Sequence, residues 1–338
     1  MNSKDVNARI DLLDYLRGFA LMGIILVNVI PLLSVRLPLP RTSNATYLRF
    51  LYLFVEGRFY TIFTFLFGVG FYIFITRAMS KGKNGYLLFL RRMLVLFLLG
   101  LVHVQFHPGE ALTIYAVCGI IILPFFRANK VVNLVFGSAM VLVLSFFGEK
   151  IFMVVPLMLL GIAAGQYRVF ERVSNHWKQT ALFTGIMLVL SSGGLIYQYQ
   201  HAPVVFGNGS EGSFSETQRF LHIGIMIGPI VSAFYVGLMI LMLRFSVVRK
   251  ALSPLKSYGR MALTNYLSQT ILILAAGKML DVVGRLTYLQ SLSMCLAIYV
   301  IQLFFSSLWL RYFRYGPLEW VWRLLTYFEA PPMRKPKI

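Results

Sequence analysis

The stretch that decides the fold lies at residues 58–76 and reads RFYTIFTFLFGVGFYIFIT. Its single charged residue is Arg58 at the start, and the residues that follow are apolar or weakly polar. About 20 mainly apolar residues are enough to cross a bilayer as a helix, because a helix satisfies its own backbone hydrogen bonds within lipid. The stretch therefore predicts a membrane-spanning helix.

The composition of the whole chain has the same character. Of its 338 residues 58% are hydrophobic and 13% are charged, whereas a soluble domain carries about 25% charged residues. Mean hydropathy is +0.73. A soluble core of this length cannot hide so much apolar surface, which excludes a cytoplasmic globular enzyme, a disordered chain and a disulfide scaffold. Cys118 and Cys295 lie inside apolar runs, and we expect them to pack without binding metal.

The predicted fold is all-α, a polytopic transmembrane helix bundle of about ten spans. We expect one integral membrane domain over residues 1–338, with a six-span part at 1–170 and a four-span part at 179–330. The second span has an alternative start near Tyr47, and we expect the first span to remain uncleaved. A hydrophilic stretch at 199–220 is predicted to be a loop or a lid. The predicted spans are 12–33, 58–76, 86–106, 111–126, 131–148, 151–167, 179–198, 221–243, 261–277 and 289–310.

The basic residues are distributed unevenly between the two sides of these spans. With the amino terminus in the cytoplasm, 24 of the 32 Lys and Arg residues fall on the cytoplasmic side. This bias is typical of inner loops in membrane proteins. It predicts two cytoplasmic termini in a bacterial-type plasma membrane, and contact with anionic membrane lipids in preference to nucleic acid.

Ionisable and amide side chains inside a span are costly, so each is a candidate for function. Asp14 and Arg17 lie one helical turn apart and are expected to pair. This pair is interpreted either as the start of a helix at the membrane interface or as part of a functional site. Asn28 lies eleven residues after Arg17, about 16 Å along a helix, and its amide needs a partner there.

A second cluster surrounds the turn at Pro108 and Gly109. His103 precedes the turn and Glu110 follows it, so the two side chains are expected to meet. An imidazole beside a carboxylate suits a general base. The alternatives are two histidines that cap helix ends, or a metal site that adds His107, which lacks a convincing further ligand.

Two further clusters lie at the start of the second span and along the ninth. Arg58 is expected to pair with Glu56 or Glu110. Thr264, Asn265 and Gln269 share one helix face, which predicts either a cavity wall or, as the favoured interpretation, contact with another helix.

Several motifs in this order resemble the YeiB-like membrane proteins, whose C-terminal part is the domain of unknown function numbered 418. The resemblance covers nearly the whole chain. The motifs are Arg9 to Asn28, Arg58-Phe59 with Gly68 and Gly70, Arg91-Arg92, Gly100 to Ala116, Gly259 to Tyr266, and Gly316 to Trp320.

The opening is also similar to heparan-α-glucosaminide acetyltransferase and, more distantly, to the acyltransferase-3 proteins. This similarity implies acyl transfer from cytoplasmic acyl-CoA, such as acetyl-CoA, to a small-molecule, glycan or lipid acceptor at the outer face. Asn28 aligns with the active-site asparagine of that acetyltransferase. Its histidine has no counterpart within residues 29–57, so we expect His103 to serve instead, with Glu110 where the family usually has Asp.

In this interpretation basic residues at the cytoplasmic mouth bind the phosphates of CoA, because guanidinium groups match phosphate oxygens. No metal is expected. The alternative function is a transporter, flippase or lipid-binding protein, in which the same polar residues line a route. The sequence leaves the oligomeric state open, and a homodimer is one arrangement that it allows. The predicted phosphate-binding residues are Arg17, Arg77, Lys81, Arg91 and Arg92.

Overall fold

The computed structural model describes residues 3–173, 176–207 and 211–336. Within these ranges the chain forms helices and turns, with one isolated bridge between Phe313 and Arg334, which confirms the all-α prediction. The helices are α1 (Ser3–Leu32), α2 (Ser43–Phe54), α3 (Arg58–Met79), α4 (Gly85–His103), α5 (Leu112–Ile121), α6 (Lys130–Ser145), α7 (Val154–Gln166), α8 (Val169–Arg172), α9 (Trp177–Gln200), α10 (Glu211–Met242), α11 (Ser246–Ala251), α12 (Ser253–Arg260), α13 (Ala262–Met279), α14 (Tyr288–Tyr312) and α15 (Pro317–Tyr327), with short 3₁₀ turns at Leu123–Phe126 and Lys150–Met153.

Six stretches of the described chain are long and apolar enough to cross a membrane. The other four predicted spans coincide with α5, α6, α7 and α13, which are shorter or more polar. Six spans therefore meet the length and hydropathy that crossing requires, where ten were predicted. The six are Asp11–Leu32, Ser43–Met79, Gly85–His103, Trp177–Gln200, Ser213–Met242 and Tyr288–Tyr312.

Two boundaries differ from the prediction. The second stretch begins at Ser43, well before residue 58 and close to the alternative start near Tyr47. Helix α2 precedes α3, and the two helices join at Gly57, whose φ of 77° suits glycine. The connection predicted at 199–220 is also shorter, since α10 already begins at Glu211. Residues 208–210 of that predicted loop lie outside the described residues.

Helix α1 occupies the centre of the bundle, where it packs against α3, α12, α13 and α14. Glycines allow the closest of these approaches. A methyl group on Gly259 of α12 would lie 1.9 Å from the carbonyl oxygen of Asp14, and one on Gly18 would lie 2.3 Å from that of Leu255. The small residues therefore fix the distance between α1 and α12.

Helices α3 and α7 meet in the same manner. A Cβ atom on Gly68 would lie 2.1 Å from the carbonyl oxygen of Met158, and one on Gly161 would lie 2.2 Å from that of Phe65. Gly68 thus serves the packing of α3 on α7. Gly70 instead faces the guanidinium of Arg17.

We expect Gly68→Ala to destabilise the protein, because the new methyl group collides with backbone that has little freedom to shift. Overpacking of this kind costs about 1–3 kcal/mol. The control is Gly185→Ala on α9, where the added Cβ meets nothing within 4 Å. Thermal unfolding in detergent should show a lower midpoint for Gly68→Ala alone. Equal midpoints for the two variants would contradict the described packing of α3 on α7.

Candidate functional site

A cavity of about 550 Å³ lies beside α1 and is bounded by α3, α4, α5, α12, α13 and α15. We call it the central cavity. Arg17 and Asn28 both line it, and the eleven residues between them correspond to about 16 Å of helix. One end of the cavity holds Arg17, Arg92 and Arg260 and is named the arginine end. The other holds Asn28, Glu56 and Lys150 and is named the ion-pair end.

The wall between the two ends is mainly apolar and aromatic. Tyr115 stacks against Phe63, with ring centroids 6.1 Å apart, and it contacts Phe67 at 5.3 Å. Its hydroxyl is hydrogen-bonded to the Thr64 hydroxyl at 2.6 Å, so the ring faces the cavity while its polar atom is satisfied. The shape suits an elongated ligand with an uncharged middle section. The remaining apolar and aromatic wall residues include Phe59, Tyr60, Leu66, Phe71, Phe74, Phe89, Met93, Leu96 and Tyr266.

At the arginine end, the guanidinium of Arg92 lies against two aromatic rings. It lies 3.6 Å from the centre of the Trp322 ring and 4.9 Å from that of Phe74. The Trp322 indole also donates to the Arg92 carbonyl oxygen at 2.9 Å. Within the described residues the Arg92 guanidinium makes no hydrogen bond, because aromatic faces hold it in place of a carboxylate. Its donors therefore remain free for an anion.

The guanidinium groups of Arg17 and Arg260 each make a hydrogen bond within the protein. Arg17 donates to the carboxylate of Asp14 at 3.1 Å, as the spacing predicts. Asp14 is buried behind the wall and does not line the central cavity. Arg260 donates to the carbonyl oxygen of Arg314 at 3.3 Å. The sequence interpretation missed Arg260, although its position beside Gly259 in a polar segment was a signal.

Three of the five predicted phosphate-binding residues lie elsewhere. Arg91 stacks on Phe328, with the guanidinium 4.7 Å from the ring centre. Arg77 lines a separate cavity with Arg168, and Lys81 is exposed in the turn after α3. Only Arg17 and Arg92 of the predicted set line the central cavity, because adjacent residues on a helix point in different directions.

Glu319 borders the arginine end from α15 and caps the start of α13. Its carboxylate accepts hydrogen bonds from the backbone N–H groups of Leu263 at 2.7 Å and Thr264 at 3.0 Å, and from the Thr264 hydroxyl at 2.6 Å. Burial raises the pKa of the Glu319 carboxyl, although these hydrogen bonds oppose the shift. Thr264 is therefore a partner of this carboxylate and does not line the central cavity.

Asn265 and Gln269 also serve the packing of helices. Asn265 donates to the carbonyl oxygen of Tyr258 and to the Ser306 hydroxyl, both at 2.9 Å. Gln269 donates to the Tyr258 hydroxyl at 2.5 Å. These bonds join α12, α13 and α14, which agrees with the favoured interpretation from the sequence. Neither amide lines the central cavity.

At the ion-pair end, Glu56 forms an ion pair with Lys150. Asn28 reaches the cavity from α1, and its amide makes no hydrogen bond within the part of the chain that the structure describes. An amide inside a span without a partner is costly, so Asn28 is available to a ligand.

His103 and Glu110 meet, as predicted, but the contact is loose. The distance from His103 Nδ1 to Glu110 Oε2 is 3.7 Å, which is too long for a hydrogen bond. The imidazole Nε2 lies 2.9 Å from the Thr270 hydroxyl. Glu110 lines the central cavity, whereas His103 lies behind the wall against Tyr266, with ring centroids 5.2 Å apart.

The carboxylate of Glu110 is occupied by the start of α5. It accepts from the backbone N–H groups of Leu112 at 2.5 Å and Thr113 at 2.8 Å, and from the Thr113 hydroxyl. Burial would raise the pKa of Glu110, but the neighbouring His103 and these hydrogen bonds lower it overall. Glu110 therefore caps the start of α5, a role that the sequence analysis did not assign to it. Among the described residues no group of three His, Cys, Asp or Glu is placed to hold a metal ion.

Arg58 does not form the predicted ion pair with Glu56 or Glu110. Its guanidinium donates to the carbonyl oxygen of Glu56 at 2.8 Å, to that of Gly224 at 2.9 Å and to Oε1 of Gln198 at 2.9 Å. Glu56 prefers Lys150 because the turn before α7 brings that ammonium to it. Arg58 thereby joins α3 to α9 and α10.

A second cavity, of about 740 Å³, lies beyond the ion-pair end. Val27, Glu56 and Lys150 border both cavities. His222 of α10 lines the second cavity, and its buried Nε2 has no hydrogen-bond partner within the described chain. The sequence interpretation missed His222, since it started the span at residue 221 and did not weigh a lone histidine at its edge.

Comparison with known proteins finds a matching family model and several relatives. A family model described as "Protein of unknown function (DUF418)" matches residues 164–329. The chain is 56% identical over 334 residues to the "Uncharacterized 39.9 kDa protein in amylase 3'region" of Bacillus acidopullulyticus, covering 97% of this chain and 96% of that protein.

Two more distant relatives also match over nearly their whole length. The chain is 27% identical to YxaH of Bacillus subtilis, covering 97% of each protein. It is 26% identical to YeiB of Escherichia coli, covering 95% of this chain and 97% of that one. No solved structure matches the chain significantly.

The turn after α4 generates a prediction about acid stability. Burial, with a contribution from nearby His103, lowers the pKa of His107 from 6.5 to about 4. In the unfolded chain the His107 imidazole is protonated below about pH 6.5, whereas in the folded chain it stays neutral down to about pH 4. The free energy of unfolding therefore falls as the pH drops through this window.

We expect His107→Asn to flatten the dependence of the unfolding midpoint on pH between 6.5 and 4. The control is His176→Asn, since that side chain is exposed. Thermal unfolding followed by tryptophan fluorescence measures both. An unchanged slope in His107→Asn would contradict a neutral, buried imidazole at this position.

Proposed function

The chain belongs to the YeiB family of integral membrane proteins, the family that the DUF418 model represents, and on that premise we propose that it is a membrane-embedded acyltransferase. It moves an acyl group from cytoplasmic acyl-CoA to an acceptor at the outer face. The observation that carries the proposal is the central cavity, which joins a free guanidinium at one end to an unpartnered amide at the other.

The arginine end suits the phosphates of CoA. Arg92 is held by two aromatic rings and keeps its donors free, while Arg17 and Arg260 add two positive charges to the same mouth. Guanidinium groups form charge-assisted, often bidentate bonds with phosphate oxygens. In this proposal the uncharged arm of the donor follows the aromatic wall, and its thioester arrives near Asn28.

The chemistry at the thioester needs two groups. An acceptor oxygen or nitrogen attacks the carbonyl carbon, and negative charge collects on the carbonyl oxygen, where the Asn28 amide donates a hydrogen bond. The carbon–sulfur bond then breaks, and CoA leaves as the thiol after taking up the proton that the acceptor lost. An oxyanion donor of this kind is typically worth about 3 kcal/mol of transition-state stabilisation.

The acceptor's proton needs a base to receive it. His103 with Glu110 was the predicted couple, but the position of His103 behind Tyr266 gives that assignment little support. Glu110 supports the site by holding the start of α5, which carries Tyr115 into the cavity wall.

One observation favours transport or lipid handling as the alternative function. The Glu56–Lys150 ion pair stands between two cavities that share wall residues, as a gate on a through-route would. A transporter or flippase would move a solute or fluorescent lipid across proteoliposomes without any acyl donor, whereas the acyltransferase would not.

The proposed orientation has ten crossings and cytoplasmic termini. The shorter helices α5, α6, α7 and α13 complete the six long stretches, and the excess of basic residues on one side sets the direction. The arginine end then faces the cytoplasm. A membrane-impermeant maleimide should label His201→Cys in intact cells and Lys81→Cys only after permeabilisation. The reverse pattern would overturn the orientation.

We expect Arg92→Gln to weaken acetyl-CoA binding at least tenfold, because hydrogen bonds to charged groups contribute about 1.5–3 kcal/mol and about 1.4 kcal/mol is a factor of ten. Isothermal calorimetry in nanodiscs measures the affinity. The wild-type affinity should also fall as salt is raised.

The matched control is the adjacent arginine. Arg91→Gln removes the same charge from the same helix, but its guanidinium lies against Phe328, away from the cavity. An equal loss of acetyl-CoA affinity in both variants would mean that Arg92 acts only through its charge and makes no specific contact with the phosphates. Absence of acetyl-CoA binding by the wild-type protein would end the acyltransferase proposal.

A further inference from the structure

The second cavity contains two buried polar atoms without partners. Within the described residues, Nε2 of His222 and Nε of Arg58 have no hydrogen-bond partner, and both side chains line this cavity. Arg58 is only 1% exposed, and three other hydrogen bonds fix its position. Leaving such atoms unsatisfied is costly. Of the ten unpartnered buried atoms among the described residues, these two belong to residues that line the same cavity, where a ligand would supply both bonds.

We propose that the second cavity binds the acyl acceptor through a hydroxyl-bearing headgroup, and that His222 is the base that takes its proton. This inference rests on the proposed acyltransferase function and completes it. A hydroxyl group can donate to the imidazole nitrogen while it accepts from the Arg58 N–H group. One hydroxyl group placed between the two atoms would satisfy both of them.

The charges around the cavity favour a neutral hydroxyl over an ionised acceptor. An ammonium group would be repelled by Arg58, Lys150 and Arg219. A carboxylate or phosphate has no proton to give to His222. Acidic groups are present as well, so the wall offers donors and acceptors together. The charged and hydroxyl-bearing residues of the wall are Tyr52, Glu56, Arg58, Glu149, Lys150, Ser215, Arg219 and Tyr288.

The position of the cavity allows the acceptor to meet the donor. Val27 borders both cavities and directly precedes Asn28, and the Glu56–Lys150 pair forms the other shared border. When that ion pair moves aside, the acceptor oxygen reaches the thioester carbon. His222 Nε2 removes the hydroxyl proton as the carbon–oxygen bond forms, and the proton then passes to the departing CoA sulfur.

His222 itself is held for this role. Its ring packs against Gly148, where an added Cβ atom would lie 3.0 Å from the imidazole. Gly148 adopts a φ of 72° in the turn after α6, so a glycine both permits the turn and leaves room for the ring.

The test uses purified full-length protein in nanodiscs, with acetyl-CoA as donor and glycerol as the hydroxyl probe. Release of the CoA thiol is followed with a thiol-reactive dye. We expect His222→Ala to lower kcat at least about 100-fold with little change in acetyl-CoA affinity, since general base catalysis contributes about 10²–10⁴-fold. Imidazole added to the buffer should restore part of the rate, because the deleted ring leaves a space for it. The control is His201→Ala, which lies outside both cavities and should retain the wild-type rate.

Several outcomes would overturn the inference. Wild-type turnover in His222→Ala, or a loss that imidazole does not rescue and that a lower unfolding midpoint accompanies, would remove His222 from the chemistry. Loss of turnover in His103→Ala but not in His222→Ala would return the base to the sequence-predicted residue. Binding of acetyl-CoA without glycerol-dependent thiol release would reject the hydroxyl acceptor yet leave the donor site standing. Failure of the wild-type protein to bind acetyl-CoA would reject the proposed function itself.

Discussion

A bilayer core offers no hydrogen bonds, so each polar group buried there finds a partner in the protein or costs several kcal/mol, roughly. Most of the described polar groups obey this constraint. Glu110 and Glu319 illustrate it, because each carboxylate receives three hydrogen bonds at the start of a helix. Helix starts carry unpaired N–H groups and partial positive charge, which a carboxylate satisfies.

Ten buried side-chain atoms of the described residues lack a hydrogen-bond partner, and two of them belong to residues that line a cavity. Asn28 lacks a partner at one end of the central cavity, Arg92 has aromatic rings in place of a carboxylate at the other, and His222 and Arg58 each leave a nitrogen unpaired in the second cavity. The same chain satisfies Asn265 and Glu319 fully. The unpaired groups that line a cavity are candidates for ligand contact, and the proposed functions rest on those groups.

Local patterns in the sequence predicted most helices, because apolar runs and turn residues act over short distances. They also predicted the Asp14–Arg17 pair, one turn apart. Such local patterns cannot predict contacts between segments that are far apart in the sequence. Nothing local indicates that Trp322 covers Arg92 or that Glu319 caps α13. Arg91 and Arg92 look alike in sequence, yet only helix rotation in the packed bundle decides which one faces the cavity.

The span predicted for α10 began too late, at residue 221, and for that reason His222 was not considered as a functional residue. Residues 211–220 are polar enough to suggest a loop, but Phe220 is completely buried and the segment continues the helix. His222 then lies well inside α10 and lines a cavity. Burial of one face by neighbouring helices overrode the local polarity, as tertiary packing often does.

The central claim is that a single ligand spans the central cavity from Arg92 to Asn28. An electron cryomicroscopy map of the protein in nanodiscs with acetyl-CoA would test it directly. The account predicts phosphate density against Arg17, Arg92 and Arg260, with the thioester within hydrogen-bond distance of Asn28. A cavity filled by lipid chains, with acetyl-CoA absent or bound outside it, would contradict the account.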